Sequence, residues 1–181
     1  MRHLCRFSRV LPVLVIAALN FGAAPVARAV STTVVISEFA TGSSVSATDE
    51  FVELYNLTDN PIPISGWKLQ YKSAAGGGGW LDRLLLPANA EIPGRGYYLL
   101  ASQTYSIQGN LPAADFTNAT WGTGQGMSGT AGHMRIIDGA STQIDKVAWG
   151  STATDPEGSP TPAMSGSQSL ERKANGTSTA D

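Results

Sequence analysis

Three glutamates, Glu38, Glu50 and Glu53, are the acidic side chains whose positions could support metal chemistry in this chain. Each lies in or beside an apolar run, and Ca²⁺ takes several oxygen ligands from carboxylates and carbonyls. The alternative is that each carboxylate pairs at a strand edge with Lys68, Arg83 or Arg172. Because no Asp-x-Asp-x-Asp run concentrates the charge, pairing is the favoured interpretation, and neither a metal nor a cofactor is expected.

His133 is the remaining candidate for catalysis, since the only other histidine, His3, lies in the N-terminal leader described below. A hydrolase needs a base beside a nucleophile, and a zinc site usually needs several His or Cys ligands. The chain has no Gly-x-Ser-x-Gly elbow, and its one cysteine, Cys5, lies in the leader. The glycines of 122–126 are not followed by a helical pattern, which a phosphate-binding loop requires. The sequence therefore predicts no enzyme and no catalytic residue.

The four tryptophans suggest a different chemistry, the stacking of aromatic rings on a ligand such as a sugar. Trp67 and Trp149 lie within strand-like patterns and are predicted to be in the core. Trp80 and Trp121 flank glycine-rich stretches and are the better candidates for exposure. They are the predicted binding residues, although burial as loop anchors stays open for both.

Residues 1–29 have the pattern of a secretory signal peptide. Three arginines precede an apolar run, Leu11–Leu19, which is shorter than the roughly 20 residues that cross a bilayer, and 27–29 reads Ala-Arg-Ala. We expect a secreted, extracellular or cell-envelope protein with no membrane attachment after cleavage. Removal of the leader's four arginines leaves eight basic and fourteen acidic residues, a net charge of −6. Such a charge disfavours direct binding of nucleic acid, which depends on Lys and Arg.

The elements that must position these residues are strands. In Glu50–Asn56, Phe51 and Tyr55 alternate with Val52 and Leu54, a period of two that predicts a half-buried strand. A second alternating run follows at 62–71, and Thr58-Asp59-Asn60-Pro61 between them is a strong turn signal. We therefore predict a hairpin over Glu50–Tyr71, with a bulge or bend at Ser65-Gly66.

Further short strands are predicted at 32–39, 81–86, 97–101, 133–137, 143–149 and 167–172, and 102–131 is predicted to be mostly irregular. No segment shows a sustained helical period. These features predict an all-β antiparallel sandwich of about seven to nine short strands. The domain is expected to span 30–172, followed by a frayed tail, 173–181.

The order of these motifs resembles the lamin-tail domain family. The residues that carry the resemblance are Ile36-Ser37-Glu38, Glu50–Asn56, Ser65-Gly66-Trp67, Asp138-Gly139, Ile144–Val147 and Ser169-Leu170-Glu171-Arg172. The resemblance implies an immunoglobulin-like β-sandwich that serves as a binding or structural module without catalytic residues. The family includes nuclear lamin tails and exported bacterial proteins, and the leader is similar to that of the exported bacterial type.

The favoured functional prediction is a non-enzymatic structural or protein-recognition module, because sheet edges and long loops offer surfaces for another protein. Two alternatives stay open. One is a module that binds carbohydrate or cell wall, and the other is an accessory domain of a secreted nuclease or hydrolase.

Overall fold

Eleven β-strands make up the regular structure of the described part of the chain. The computed structural model describes residues 31–74, 77–105, 112–121, 124–164 and 168–172, so the predicted leader and the predicted frayed tail lie outside the described residues. The strands are β1 (Val34–Thr41), β2 (Glu50–Asn56), β3 (Ile62–Pro63), β4 (Lys68–Ser73), β5 (Leu81–Leu85), β6 (Glu91–Ile92), β7 (Tyr97–Ser102), β8 (Phe116–Asn118), β9 (Gly132–Ile137), β10 (Gln143–Trp149) and β11 (Leu170–Glu171).

The strands form two main layers. A five-stranded sheet has the order β11-β1-β2-β7-β8, and a four-stranded sheet has the order β10-β9-β4-β5. A two-stranded ribbon, β3-β6, lies at one end. All main-sheet pairs are antiparallel except β7 and β8. The all-β immunoglobulin-like sandwich is confirmed. The strand number exceeds the prediction because the predicted run 62–71 divides into β3 and β4, and because β6 and β8, of two and three residues, are too short to show a period.

The alternation in β2 shows how the sequence builds the core. Val52 and Leu54 have no exposed surface, whereas Phe51, Glu53 and Tyr55 on the opposite face are half-buried. The inward side chains of the two main sheets meet in one apolar cluster that includes Ile36, Leu69, Met134 and Trp149. Burial of such apolar surface is the main stabilising contribution to a domain of this size.

The hairpin predicted over Glu50–Tyr71 is wrong. Strand β2 pairs with β1 and β7, whereas β4 pairs with β5 and β9 in the other sheet. The turn signal is real, but the chain leaves one layer there and enters the other. Ser65-Gly66 forms a turn in which Gly66 has a φ of 74° and Trp67 N donates to Ile64 O (3.1 Å), so the frame shift is a turn and not a bulge.

The outer face of the five-stranded sheet carries a second, smaller apolar cluster. Tyr105 packs edge-on against Phe51, with ring centroids 5.7 Å apart, and both contact the cluster formed with Leu99 and Ala101. Tyr105 belongs to the connection from β7 to the parallel strand β8. Part of the long segment predicted to be irregular is therefore packed over the sheet.

Among the described residues, no helix has both the length and the apolar character needed to cross a membrane.

Candidate interaction surface

Strand β5 lies at the edge of the four-stranded sheet and presents two exposed leucines. Leu81 is 51% exposed and Leu85 is 58% exposed, whereas Leu84 of the same strand is buried in the core. Both exposed leucines are apolar groups beside an edge to which no other described strand is bonded on its outer side. Solvent-exposed strand edges of this kind can pair with another chain.

The backbone of Leu85 faces this open edge. Leu86 N donates to Trp67 O (2.9 Å) and Leu86 O accepts from Gly66 N (3.3 Å), so Leu86 bonds toward the interior of the sheet. The N–H and C=O of successive residues in an antiparallel strand point to opposite sides. The backbone groups of Leu85 therefore point away from β4, and within the described residues they are available to an added strand.

The edge also has a bulge. Leu84 pairs with Leu69, whereas Asp82 pairs with the next residue, Gln70, which leaves Arg83 as the extra residue of β5. Arg83 is buried, and its guanidinium lies 4.9 Å from the centre of the Tyr71 ring. The bulge thus turns a charged side chain into the core and leaves the outer surface of β5 mainly to leucines.

The three candidate glutamates do not form one site. Glu38 pairs across the sheet with Glu53 on one side and with Glu171 on the other, so these three carboxylates lie in a row on the outer face. Burial raises the pKa of Glu53, the Ser37 hydroxyl that donates to its Oε1 (2.6 Å) opposes this, and Glu38 and Glu171 raise the pKa further. Glu50 instead points into the core, with no exposed surface.

Glu50 connects the segment that precedes β9 to the core through a hydrogen bond. Its Oε1 accepts a hydrogen bond from Met127 N. Burial raises the pKa of Glu50 to about 7, although Met127 N–H, the Trp121 indole and the Arg83 guanidinium all favour the ionised form. Trp121 Nε1 has no hydrogen-bond partner by distance and angle among the described residues, so its N–H favours the Glu50 carboxylate as a nearby dipole. Because Glu50 shares the inward face of β2 with Val52, the period-two pattern could have identified it as buried.

The two predicted binding tryptophans differ. Trp121 has no exposed surface and belongs to the core cluster, so its ring is not available to a ligand and the loop-anchor alternative fits the structure. Trp80 is half-buried, and its ring is already covered by the Arg135 guanidinium at 4.3 Å and approached by Lys72 Nζ at 5.4 Å. Trp149 is fully buried and Trp67 packs against the core, as predicted.

His133 is buried, and the partners of its ring nitrogens are backbone groups. It has no exposed surface, its Nε2 accepts from Thr154 N and Asp155 N (3.0 Å each), and its Nδ1 lies 3.3 Å from Lys72 O. These partners place the proton on Nδ1. Burial lowers the pKa of the imidazole, so the neutral ring is the stable form. No nucleophilic side chain is among these hydrogen-bond partners.

Asp145 and Arg172 join the two sheets and were not predicted as site residues. Asp145 Oδ2 accepts from Ile36 N (2.7 Å) and from Arg172 Nη2 (3.0 Å). Burial raises the pKa of Asp145 to about 7, while Arg172 and Ile36 N–H favour its ionised form. The alternation of the strand could have identified it, because Asp145 shares one face of β10 with the inward-facing Val147 and Trp149.

Among the described residues, no group of three or more His, Cys, Asp or Glu side chains is arranged to hold a metal ion. The chain was also compared with known families, and the family described as Lamin Tail Domain matches residues 27–151. The protein belongs to the lamin tail domain family. This is a non-catalytic, immunoglobulin-like domain family, in agreement with the sandwich described above. No curated protein matches this lamin tail domain chain.

Proposed function

We propose that this lamin tail domain protein is an exported, non-enzymatic recognition module that binds an extended segment of another protein. The segment adds as a further strand to the outer edge of β5. The observation that carries the proposal is this edge, with the outward backbone groups of Leu85 and the exposed side chains of Leu81 and Leu85. The signal-peptide pattern of residues 1–29 supports an extracellular or cell-envelope location.

The other sheet edges of the described residues are less suited to strand addition. Strands β8 and β11 have three and two residues. The end of β10 is covered by the segment at Thr161, whose N–H donates to Ala148 O (2.9 Å) and whose carbonyl accepts from Gly150 N (2.8 Å). Strand β5 has five residues and contains neither Lys nor Pro, and its bulge and inward-pointing Arg83, which also protect an edge, come before the outward backbone groups of Leu85.

The edge also indicates what kind of segment fits. Main-chain hydrogen bonds supply affinity in strand addition, and alternate side chains supply specificity. Apolar side chains in the added strand would cover Leu81 and Leu85. The neighbouring polar side chains already pair with each other, since Lys68 Nζ lies 2.8 Å from Asp82 Oδ2. An extended, largely apolar and uncharged segment is therefore the favoured partner.

Selection with displayed linear peptides of about twelve residues tests the proposal. Peptides enriched on the wild-type protein should lose binding to Leu85→Pro, which removes an outward N–H, and to the double variant Leu81→Lys/Leu85→Lys. The matched control is Val45→Lys, because Val45 is 65% exposed but lies in the β1–β2 loop. Binding should slow hydrogen exchange at the Leu85 amide.

Purified cell-wall polymers are tested in parallel with the same four proteins. Peptides that bind the β5 variants as tightly as the wild type would overturn strand addition. Binding of a cell-wall polymer without any effect of the β5 changes would favour the carbohydrate-binding alternative. Hydrolysis of a phosphodiester or ester substrate by the purified protein would overturn the non-enzymatic assignment.

A further inference from the structure

The outer face of the four-stranded sheet is partly covered by residues 151–156, which follow β10. We call this segment the flap. Both of its ends are held by the domain, since Gly150 N donates to Thr161 O (2.8 Å) and Glu157 is buried. Between these ends, two successive residues of the flap form hydrogen bonds with groups outside it.

The His133 ring holds the backbone of these two residues. Its Nε2 accepts from Thr154 N and from Asp155 N, each at 3.0 Å. Its Nδ1 lies 3.3 Å from Lys72 O, so the single proton of the neutral ring is on Nδ1 and is donated there. A neutral imidazole has one acceptor nitrogen, whereas a protonated imidazole has none. The two bonds to the flap therefore exist only while the ring is neutral.

The Asp155 carboxylate makes a second attachment between the flap and the sheet. Its Oδ1 accepts from Lys146 Nζ (2.7 Å), and its Oδ2 accepts from Lys72 Nζ (3.4 Å). The two lysine side chains are only 1% and 15% exposed. Among the described residues, Asp155 is the acidic partner of both ammonium groups, and no other forms an ion pair with either. The flap thus covers two lysines and supplies their counter-ion.

We propose that His133 holds the flap only while its ring is neutral, and that protonation of the ring releases the flap and uncovers Lys72 and Lys146. On protonation, Nε2 becomes an N–H donor that faces two other N–H donors, so the amides of Thr154 and Asp155 must move away from it. Buried donors that lose their acceptor are costly until they reach water, which the released flap allows.

The charges that face the ring come from each neighbouring element. Lys72 of β4 disfavours the protonated ring, whereas Asp155 of the flap favours it. Lys146 of β10 and Arg135 of β9 lie opposite each other on the same face of the sheet. The first is bonded to Asp155, and the guanidinium of the second is stacked on an indole ring at 4.3 Å.

The direction of the pH effect follows from the burial of the ring. Burial lowers the pKa of His133 from its ordinary value of 6.5, so the attachment is at full strength above about 6.5 and weakens as the pH falls. Bonds to Lys146 outweigh burial and lower the pKa of Asp155, which therefore stays ionised in mild acid. Burial raises the pKa of Glu157, so its titration strengthens the end of the flap in acid.

Amide hydrogen exchange of the full wild-type chain, corrected for the intrinsic effect of pH, tests the proposal. The protection of the Thr154 and Asp155 amides should be constant above pH 6.5. Below it, protection should fall about tenfold per pH unit until the pKa of the buried ring is reached, because the released ring binds its proton with the ordinary pKa. The amides of β9 should stay protected.

Nitrogen NMR of the His133 ring supplies the second measurement. The proton should be on Nδ1 at pH 7.5, and both nitrogens should be protonated over the pH range in which the flap amides lose protection. A proton on Nε2 at pH 7.5 would overturn the proposal. So would flap amides that are equally protected at pH 7.5 and 4.5, or a loss of protection shared with β9, because that would be unfolding of the sheet.

His133→Gln is the matched variant, because the glutamine amide oxygen can accept from the flap at every pH. The protection of the Thr154 and Asp155 amides should then no longer depend on pH. Asp82→Asn removes a carboxylate of the same face, bonded to Lys68 Nζ at 2.8 Å, and should keep the wild-type response. An unchanged response in His133→Gln would contradict the proposal. If that variant does not fold, the two wild-type measurements decide.

Discussion

Asn56 shows how much one buried polar side chain can organise in a sandwich with short strands. Its Nδ2 donates to the carbonyls of Asn60 (2.8 Å), Ile92 (3.2 Å) and Pro93 (3.0 Å), and its Oδ1 accepts from Thr58 N (2.8 Å) and Thr58 Oγ1 (2.8 Å). It has no exposed surface. The side chain therefore joins the end of β2 to the turn that follows it and to the end of β6. No strand pairing of the described residues connects β6 to that turn.

Replacing Asn56 with Ala should lower the free energy of unfolding by about 2–4 kcal/mol, because several buried carbonyls lose their donor. Asn118→Ala is the matched control, since its Oδ1 accepts the same two bonds from Thr120 N and Oγ1 (2.8 Å each) at a half-buried site. That change should cost about 1 kcal/mol or less. Equal losses in urea unfolding of the two variants would show that the carbonyl contacts of Asn56 contribute little.

At the scale of elements, β2 was predictable and its neighbours were not. The period-two pattern gives the burial of every residue in β2, because side-chain direction is a local property of an extended chain. Pairing partners depend on where the chain travels after each turn. The segment after Asn56 looks the same in sequence whether it returns beside β2 or crosses to the other layer, which is why the predicted hairpin was wrong.

The same limit applies to the candidate site. The polar residues Glu50 and Asp145 stand at inward positions of patterns that were recognised, so their burial was within reach of the sequence. The edge position of β5 was not, since it follows from the strand order of the sheet. The burial of Trp121 depends on the path of a long loop and was likewise left open by its neighbouring glycines.

Trp121 anchors the segment between β8 and β9, and this can be measured. Trp121→Ala should lower the free energy of unfolding by about 3–5 kcal/mol, because it removes a fully buried indole and leaves a cavity. Trp80→Ala removes a half-buried ring with cation–π contacts and should cost about 1 kcal/mol. Urea unfolding followed by circular dichroism compares the two, and a smaller loss for Trp121 would contradict the anchoring role.

The protein as a whole contains ionisable groups whose contributions to folding stability change in opposite directions with pH. Glu50 and Asp145 hold pKa values raised by burial, so the stability they contribute is lost as the pH rises toward 7. His133 has a lowered pKa, so its contribution is present above about 6.5 and is lost as the pH falls. Hydrogen bonds lower the pKa of Asp82, and bonds to Lys146 outweigh burial to lower that of Asp155, so these contributions are lost in acid.

The two carboxyl groups with raised pKa values, Glu50 and Asp145, should dominate the pH dependence of stability. They are the more deeply buried groups, and their pKa values shift furthest. We expect the free energy of unfolding to be highest near pH 5 and to fall by about 3 kcal/mol by pH 8. Urea unfolding at pH 5, 6, 7 and 8 measures this, and Glu50→Gln should flatten the curve between pH 5 and 7 because its side chain cannot ionise. A wild-type protein whose stability rises throughout this range would show that Glu50 and Asp145 are ionised in the folded state, with Arg83 and Arg172 outweighing the cost of burial.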